Sequence, residues 1–174
     1  MALTMGTWRF VDGRIGGQKI TDKSTTAQHP LGTKIKAKDI GTTAYGEGEF
    51  VYVKGVTNGA EKSWVVINYD DGSTTLAVAD SNGPVGVMMA ALSSSSTYGW
   101  VQIRGKALGK CLTSFADNGV VYLTATAGSI DDASVAGDWI SGALGASAAV
   151  VGDLHAEFEL QYPQASQRVS VAGR

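Results

Sequence analysis

Cysteine, proline and charged residues are all scarce in this chain. The 174 residues include one cysteine and three prolines, and 17% are charged, against about 25% in ordinary soluble domains. A single cysteine excludes an internal disulfide framework and any zinc site built from several cysteines. Because there are also only two histidines, we expect no metal centre and no cofactor.

The charges that are present nearly balance, and no apolar run is long. Lysine and arginine number 14 against 16 acidic residues, so the chain lacks the basic excess with which nucleic-acid-binding proteins displace counterions. No apolar run approaches the roughly 20 residues that span a bilayer. The N-terminal sequence MALTMGTWRFVDGRIGG lacks the basic-then-apolar order of a signal peptide, so we expect no export by that route.

Glycine and strand-forming residues dominate what remains. The 23 glycines weaken helices and favour turns between short strands. From residue 49 onwards, about nine runs rich in β-branched and aromatic residues recur roughly every 8–12 residues. Turn sequences such as Asn58-Gly59 and Asp71-Gly72 separate them. This spacing predicts an all-β fold, with a compact β-barrel or β-sandwich body over residues 49–174.

One short segment departs from this β pattern. In residues 129–136, SIDDASVA, Ser129 and Asp132 have the spacing of a helix-capping pair. We therefore predict a single helical turn there.

Residues 1–48 differ from the body because their apolar residues are scattered singly and keep neither a helical nor a strand period. No partner within the chain is evident for them, so we predict an extended arm that lies on another surface; the alternative is a flexible tail with one edge strand. Three lysines at positions 34, 36 and 38 share one face, either solvated at a sheet edge or facing an acidic partner. The arm residues expected to make contacts are Trp8, Arg9, Phe10, Val11, Ile15 and Ile20.

Residue patterns that carry catalysis are absent or have simpler explanations. The chain has no Gly-x-Ser-x-Gly nucleophile elbow and no phosphate-binding glycine loop. Cys111 lies in an apolar run, where a thiol packs as a small hydrophobic side chain. The carboxylate pairs 70–71 and 131–132 are typical of a turn and of a first helical turn, respectively. We therefore expect a protein that is not an enzyme.

The aromatic residues are the other candidates for a binding site. Trp64 and Trp139 lie among apolar neighbours and are expected in the core. Alternate residues from 98 to 104 share one face on a regular strand, and their composition is typical of a protein interface. We predict a subunit interface there; the alternative is that a barrel wall buries all four residues. They are Tyr98, Trp100, Gln102 and Arg104.

Five segments resemble stretches of structural proteins from the heads of tailed bacteriophages. They are residues 45–55 (YGEGEFVYVKG), 86–105 (GVMMAALSSSSTYGWVQIRG), 117–128 (DNGVVYLTATAG), 130–133 (IDDA) and 160–163 (LQYP). All five are patterns of strand and turn. The family that they indicate is the capsid decoration, or cement, proteins of tailed double-stranded DNA phages.

This resemblance implies a structural virion protein. Such proteins bind the outside of an icosahedral head and stabilise the capsid by bridging subunits of the major capsid protein. They are commonly small β folds, often homotrimers, with an N-terminal arm on the shell, and residues 1–44 match that arm in placement and composition. The resemblance thus implies synthesis in the host cytoplasm, a final location on the capsid exterior, and capsid contacts made by the arm.

Two other functions stay open from the sequence. A carbohydrate- or receptor-binding β module of a phage particle would present exposed coplanar aromatic rings along a groove. A small hydrolase would need a deep pocket with a polarised nucleophile.

Overall fold

The computed structural model describes residues 3–11 and 17–166, and within them the backbone forms eleven strands and no helix. All of the paired strands run antiparallel. The all-β prediction is therefore confirmed. The strands are β1 (Trp8–Phe10), β2 (Lys34–Asp39), β3 (Glu47–Lys54), β4 (Trp64–Ile67), β5 (Thr74–Leu76), β6 (Gly83–Met88), β7 (Tyr98–Lys110), β8 (Val120–Leu123), β9 (Ile130–Asp131), β10 (Trp139–Gly145) and β11 (His155–Ala165).

These strands belong to one sheet that is not closed into a barrel. Its order is β1-β2-β3-β7-β6-β11-β10-β8-β9, and the hairpin β4–β5 joins it through β4, which pairs with β6. Successive parts of β6 pair with β11, then with β4 and then with β7. Because one strand thus has three partners, the sheet folds back on itself and forms a compact body.

The longest strand, β7, joins the two halves of the sheet. Residues 98–104 of β7 pair with β3, and residues 104–110 pair with β11. Gly105 lies at this change of partner with a φ of +87°, and a Cβ there would lie 2.3 Å from the Glu47 carbonyl oxygen. Only glycine fits this position. The sequence predicts two strands here, 98–105 and 107–113, but Gly105 bends the strand without ending it.

Three clusters of buried side chains form the core. The largest surrounds Trp64 and Phe158, whose rings lie edge-on with centroids 5.0 Å apart. The indole Nε1 of Trp64 donates a hydrogen bond to the Lys110 carbonyl oxygen at 3.0 Å. A second cluster, around Met88 and Val101, packs β4 and β6 against β3 and β7. The third lies beneath the N-terminal strands.

Residues 129–136 do not form the helical turn that their sequence predicts. Ile130 is fully buried and pairs with Leu123, so β9 continues the sheet beside β8. Asp132 accepts a hydrogen bond from the Ala116 backbone N–H at 3.0 Å instead of capping a helix. Burial of the Ile130 side chain outweighs the local capping pattern.

The first 48 residues, as far as they are described, lie on the body and extend its sheet. Strands β1 and β2 continue the sheet beyond β3, and β3 itself crosses the predicted boundary between residues 48 and 49. Ile20 is buried in the third core cluster, and Trp8 and Phe10 pack against it. The expectation that these three side chains lack a partner within the chain does not hold, because β3 and β7 provide one.

Candidate functional site

An edge strand of the sheet, β1, is the candidate site. The alternation of Trp8, Arg9 and Phe10 gives a strand with two rings turned to the core and Arg9 turned to solvent. The strand pairs with β2 in the register Arg9↔Lys38. Its other edge has no strand partner within the described ranges. An open edge of this kind can accept a further strand.

Two aromatic rings anchor β1 to the strands beneath it. Trp8 lies edge-on to Phe50 with 4.9 Å between ring centroids, and Phe10 lies edge-on to Trp100 at 6.1 Å. Trp100 in turn packs edge-on against Tyr52 at 4.9 Å. Edge-to-face pairs contribute about 0.5–1.5 kcal/mol each beyond the burial of their area. The inward face of β1 therefore holds the strand in place.

A buried glutamine, Gln18, fastens the segment between β1 and β2. Its side-chain amide donates to the carbonyl oxygens of Asp22 at 2.6 Å and of Tyr98 at 2.8 Å. Its side-chain oxygen accepts from the Tyr52 hydroxyl at 2.7 Å, and its backbone carbonyl accepts from Trp100 Nε1 at 3.1 Å. Burial raises the pKa of Tyr52, which keeps the phenol protonated as a donor. Sequence reasoning missed Gln18 because no local pattern marks a glutamine that becomes buried.

Asp39, at the end of β2, ties three parts of the chain together. Its Oδ1 accepts hydrogen bonds from the backbone N–H groups of Thr7 at 2.8 Å and Gly41 at 2.9 Å. Its Oδ2 accepts from the Tyr45 N–H at 3.1 Å and from the Thr43 hydroxyl. Burial acts to raise the carboxyl pKa, but the hydrogen bonds outweigh it and leave the pKa of Asp39 below its ordinary value. The ionised carboxylate thus joins the start of β1 to the loop between β2 and β3.

A groove of about 430 Å³ runs beside β1. It is lined by β1 itself and by residues that include Lys19, Ile20 and Ile40. Ile40 is 46% exposed, and Val11, directly after β1, is 53% exposed. The open edge of the sheet therefore carries uncovered apolar surface.

The structure separates the predicted arm contacts into distinct groups. Trp8 and Phe10 are half-buried and pack on the core, and Ile20 is buried. Arg9 and Val11 are exposed. Ile15, the remaining predicted contact, lies outside the described residues. Arg9 and Val11 are thus the two predicted contacts that face solvent.

The four residues predicted as a subunit interface do not share one environment. Trp100 and Gln102 are at most 1% exposed, whereas Tyr98 and Arg104 are half-buried. A register shift in the pairing with β3 separates Arg104 from Gln102, and Arg104 forms an ion pair with Glu49 at 3.1 Å. The side chains of Trp100 and Gln102 are therefore covered by the chain itself.

The tryptophans do not form an exposed row. Trp64 is fully buried, as its apolar neighbours predict, and Trp100 is buried as well. Trp139, also expected in the core, is half-buried, like Trp8. These four residues therefore do not provide the coplanar exposed rings of a carbohydrate-binding groove.

The thiol and imidazole side chains are packed among other groups. Cys111 is buried as predicted, and burial, reinforced by nearby aspartates, raises its pKa to about 12 and keeps the thiol protonated. The His29 ring lies against the rings of Tyr52 and Trp100, with 5.1 Å between centroids in each case. Burial lowers the pKa of His155, and the positive charges of neighbouring lysines lower it further. Within the described residues, neither the His29 nor the His155 side chain forms a hydrogen bond with a serine or cysteine side chain.

The carboxylate pair 70–71 lies in a turn. Asp71 accepts hydrogen bonds from the backbone N–H and the hydroxyl of Ser73, which closes the turn predicted between β4 and β5. Within residues 3–11 and 17–166, no three side chains of His, Cys, Asp or Glu come together as metal ligands.

Comparison with known proteins does not assign the chain to a family, because no family model, no curated protein and no solved structure matches it. In the part of the chain that the structure describes, no helix has the length and hydropathy needed to cross a membrane. The β1 edge and the groove beside it are therefore the features from which a function is inferred.

Proposed function

We propose that this chain is a structural virion protein that binds the outer surface of an icosahedral phage head. It stabilises the capsid by bridging subunits of the major capsid protein, and it acts as a homotrimer. The support from the sequence is the resemblance of five segments to capsid decoration proteins. The support from the structure is the open edge of β1 with the apolar surface beside it.

The backbone of β1 has hydrogen-bonding groups at its outer edge. The Thr7 carbonyl accepts a hydrogen bond from the Ile40 N–H at 2.7 Å, and the Val11 N–H donates one to the Lys36 carbonyl at 3.0 Å, so both residues direct these groups toward β2. In an antiparallel pair, alternate residues direct these groups to opposite sides, so Trp8 and Phe10 direct theirs away from β2. A strand of the major capsid protein can pair with them and extend the sheet.

Exposed apolar side chains give this edge its affinity. Val11 directly follows β1 at the open edge, where an added strand would contact it, and Ile40, whose N–H donates to the Thr7 carbonyl, lines the groove beside β1. Fully burying one such side chain contributes about 1.5–3 kcal/mol before the entropy of ordering is subtracted. A trimer would combine three such contacts by avidity, so a weak single contact suffices.

Sedimentation of the protein with phage heads tests this proposal. Expanded heads of the phage that encodes the chain, prepared without it, are mixed with the full-length protein and pelleted. We expect Val11→Asp to weaken binding about tenfold or more, because it places a carboxylate in the apolar contact. The matched control is Val135→Asp, since Val135 is a similarly exposed valine, at 46%, between β9 and β10.

The outcomes of this experiment distinguish an error in the proposed function from an error in the proposed attachment site. If wild-type protein fails to pellet with the heads, the proposed function is wrong. If it pellets and Val11→Asp binds as well as Val135→Asp, the β1 edge is not the attachment site. Circular dichroism and molecular mass, compared with wild type, identify any variant that has misfolded or changed its self-association.

A further inference from the structure

Two tyrosines, Tyr69 and Tyr162, are the exposed aromatic residues of the described chain, at 42% and 48%. The remaining tyrosines, phenylalanines and tryptophans are buried or half-buried. Tyr69 lies in the turn between β4 and β5, and Tyr162 lies within β11. Although they are far apart in the sequence, one series of side-chain contacts connects them.

A bulge in β11 turns Tyr162 toward solvent. Buried and exposed residues alternate along most of this strand, but residues 161 and 162 both face outward. The pairing with β10 shifts its register at Gly142, where a Cβ would lie 2.6 Å from the Gln161 carbonyl oxygen. Tyr162 itself has a φ of +51°, which is unfavourable for a residue with a Cβ. Bulges and backbone outliers of this kind are concentrated at functional surfaces, where they redirect a side chain.

The carboxylate of Glu49 positions Tyr162 and two cations. Its Oε2 accepts a hydrogen bond from the Tyr162 hydroxyl at 2.7 Å, and its Oε1 lies 3.1 Å from Arg104 Nη1 and 3.6 Å from Lys36 Nζ. Burial acts to raise the carboxyl pKa, but these partners outweigh it and hold the pKa of Glu49 below its ordinary value. The side chain of Glu49 is 14% exposed, whereas those of Lys36 and Arg104 are 63% and 42% exposed. A largely covered, ionised carboxylate thus holds three exposed side chains in place.

Lys34 connects this cluster to the second tyrosine. Its amine lies 4.7 Å from the centre of the Tyr69 ring, which is a cation–π contact. Lys34 and Lys36 are exposed on the same face of β2, about 6.6 Å apart along the strand. The contacts therefore form one continuous tyrosine stripe, which comprises Tyr69, Lys34, Lys36, Glu49, Arg104 and Tyr162.

The mixture of charges in the tyrosine stripe narrows the chemistry of its ligand. Three cations accompany one carboxylate, and further carboxylates stand beside the stripe, at Asp70 and at Glu47 opposite Lys38. Nucleic acid is bound by a basic surface without interleaved carboxylates. Lysine and glutamate are depleted in protein interfaces. A neutral sugar chain fits both signs of charge, because its hydroxyls accept from ammonium and guanidinium groups and donate to carboxylates.

We propose that the tyrosine stripe binds a neutral polysaccharide, with sugar rings packed on Tyr69 and Tyr162. The C–H face of a sugar ring is apolar and packs on the flat face of an aromatic ring. Between the two tyrosines, the lysines and Arg104 donate to sugar hydroxyls. The described side-chain hydrogen bond of Arg104 uses Nη1, which leaves its other donors for this purpose. This site goes beyond attachment to a capsid, and it uses a face of the sheet instead of the β1 edge.

Electrophoresis in native gels that contain a soluble polysaccharide tests the proposal. The full-length protein is run in gels with dextran, a mixed-linkage β-glucan or a galactomannan, and in a gel without polysaccharide. We expect at least one of the three to retard the protein relative to a reference protein, and the dependence on polysaccharide concentration gives the dissociation constant. Unchanged mobility in all three gels would overturn the proposal.

Substitutions at the two tyrosines test the site with the polysaccharide that retards the protein. Tyr69→Ala and Tyr162→Ala should each weaken binding about tenfold, because each removes one aromatic contact. Tyr162→Phe keeps the ring and should bind more tightly than Tyr162→Ala. The matched control is Leu154→Ala, since Leu154 is as exposed as Tyr69, at 42%, and lies before the first residue of β11, away from the stripe. Equal binding by Tyr162→Ala and Leu154→Ala would overturn the assignment of the site.

Salt distinguishes a neutral ligand from a charged one. Calorimetric titration with the same polysaccharide should give a dissociation constant that changes little between 0.1 M and 1 M salt, although the Debye length falls from about 10 Å to about 3 Å. Binding that disappears at 1 M salt, or retardation by a single-stranded oligonucleotide alone, would contradict a neutral sugar chain. Circular dichroism, compared with wild type, identifies any variant that has lost binding because it is misfolded.

Discussion

Replacing Asp39 by alanine removes an acceptor of four hydrogen bonds that join β1, β2 and the loop between β2 and β3. The backbone N–H groups of Thr7, Gly41 and Tyr45 lose their partner, as does the Thr43 hydroxyl. These bonds lie at or near the surface, where water can replace part of each, so we take about 0.5–1 kcal/mol apiece. The free energy of unfolding should therefore fall by about 2–4 kcal/mol.

Asparagine at position 39 separates the contribution of the charge to stability from that of the side-chain shape. Asp39→Asn keeps one carbonyl oxygen, but its amide nitrogen cannot accept from Tyr45 and Thr43, so we expect about half of the alanine effect. Because the pKa of Asp39 is lowered in the folded protein, its stabilisation is complete above the unfolded pKa of about 3.9. It is lost as the pH falls through the lower folded pKa. The stability difference between wild type and Asp39→Asn should thus shrink in acid.

Urea unfolding, followed by tryptophan fluorescence and extrapolated to water, measures these differences. The control is Asp71→Ala, which removes a carboxylate that accepts two hydrogen bonds from Ser73 within its own turn. Since Asp71 joins no distant segments, its loss should be the smaller. The reasoning is refuted if Asp39→Ala is no less stable than Asp71→Ala at neutral pH. A difference between wild type and Asp39→Asn that stays constant into acid would refute the role of the charge.

Two further substitutions test the bend of β7 and the buried thiol. Gly105→Ala should lower the thermal midpoint more than Gly137→Ala, because both have φ close to +90° but a Cβ at Gly137 meets nothing within 4 Å; equal shifts would contradict the close approach at Gly105. Cys111→Ser should lower the free energy of unfolding, measured in urea, by about 1–3 kcal/mol, the cost of burying an unpaired hydroxyl. A thiol reagent should label wild-type Cys111 only after unfolding, and labelling of the folded protein would contradict its burial.

Features that depend on neighbours in the sequence could be predicted from it. The turn sequences that separate the predicted strands contain residues with positive φ, among them Asn58, Gly72 and Asn118. The lysines of β2 are exposed and the two apolar residues between them are buried, as their alternation predicts. In both cases a pattern of two to six residues determines the local conformation.

Contacts between distant residues account for what the sequence did not predict. Gln18 donates to Tyr98, 80 positions away, and Trp100 donates to Gln18 across 82 positions. Ile20 is buried on the same aromatic cluster. A single apolar residue among polar neighbours forms no periodic hydrophobic pattern. A segment packed on a distant strand therefore has the same sequence pattern as one without a partner.

The packing of the N-terminal segment limits how it can attach to a capsid. Detaching it would expose Trp8, Phe10 and Ile20, each of which contributes about 1.5–3 kcal/mol when fully buried. The total, roughly 5–9 kcal/mol at most, is comparable to the whole stability of a small domain, about 5–15 kcal/mol. An arm that leaves the body would have to recover this energy on the shell before gaining any affinity. We therefore expect the inward rings to stay packed while the outer edge of β1, with Arg9 and Val11, makes the contact.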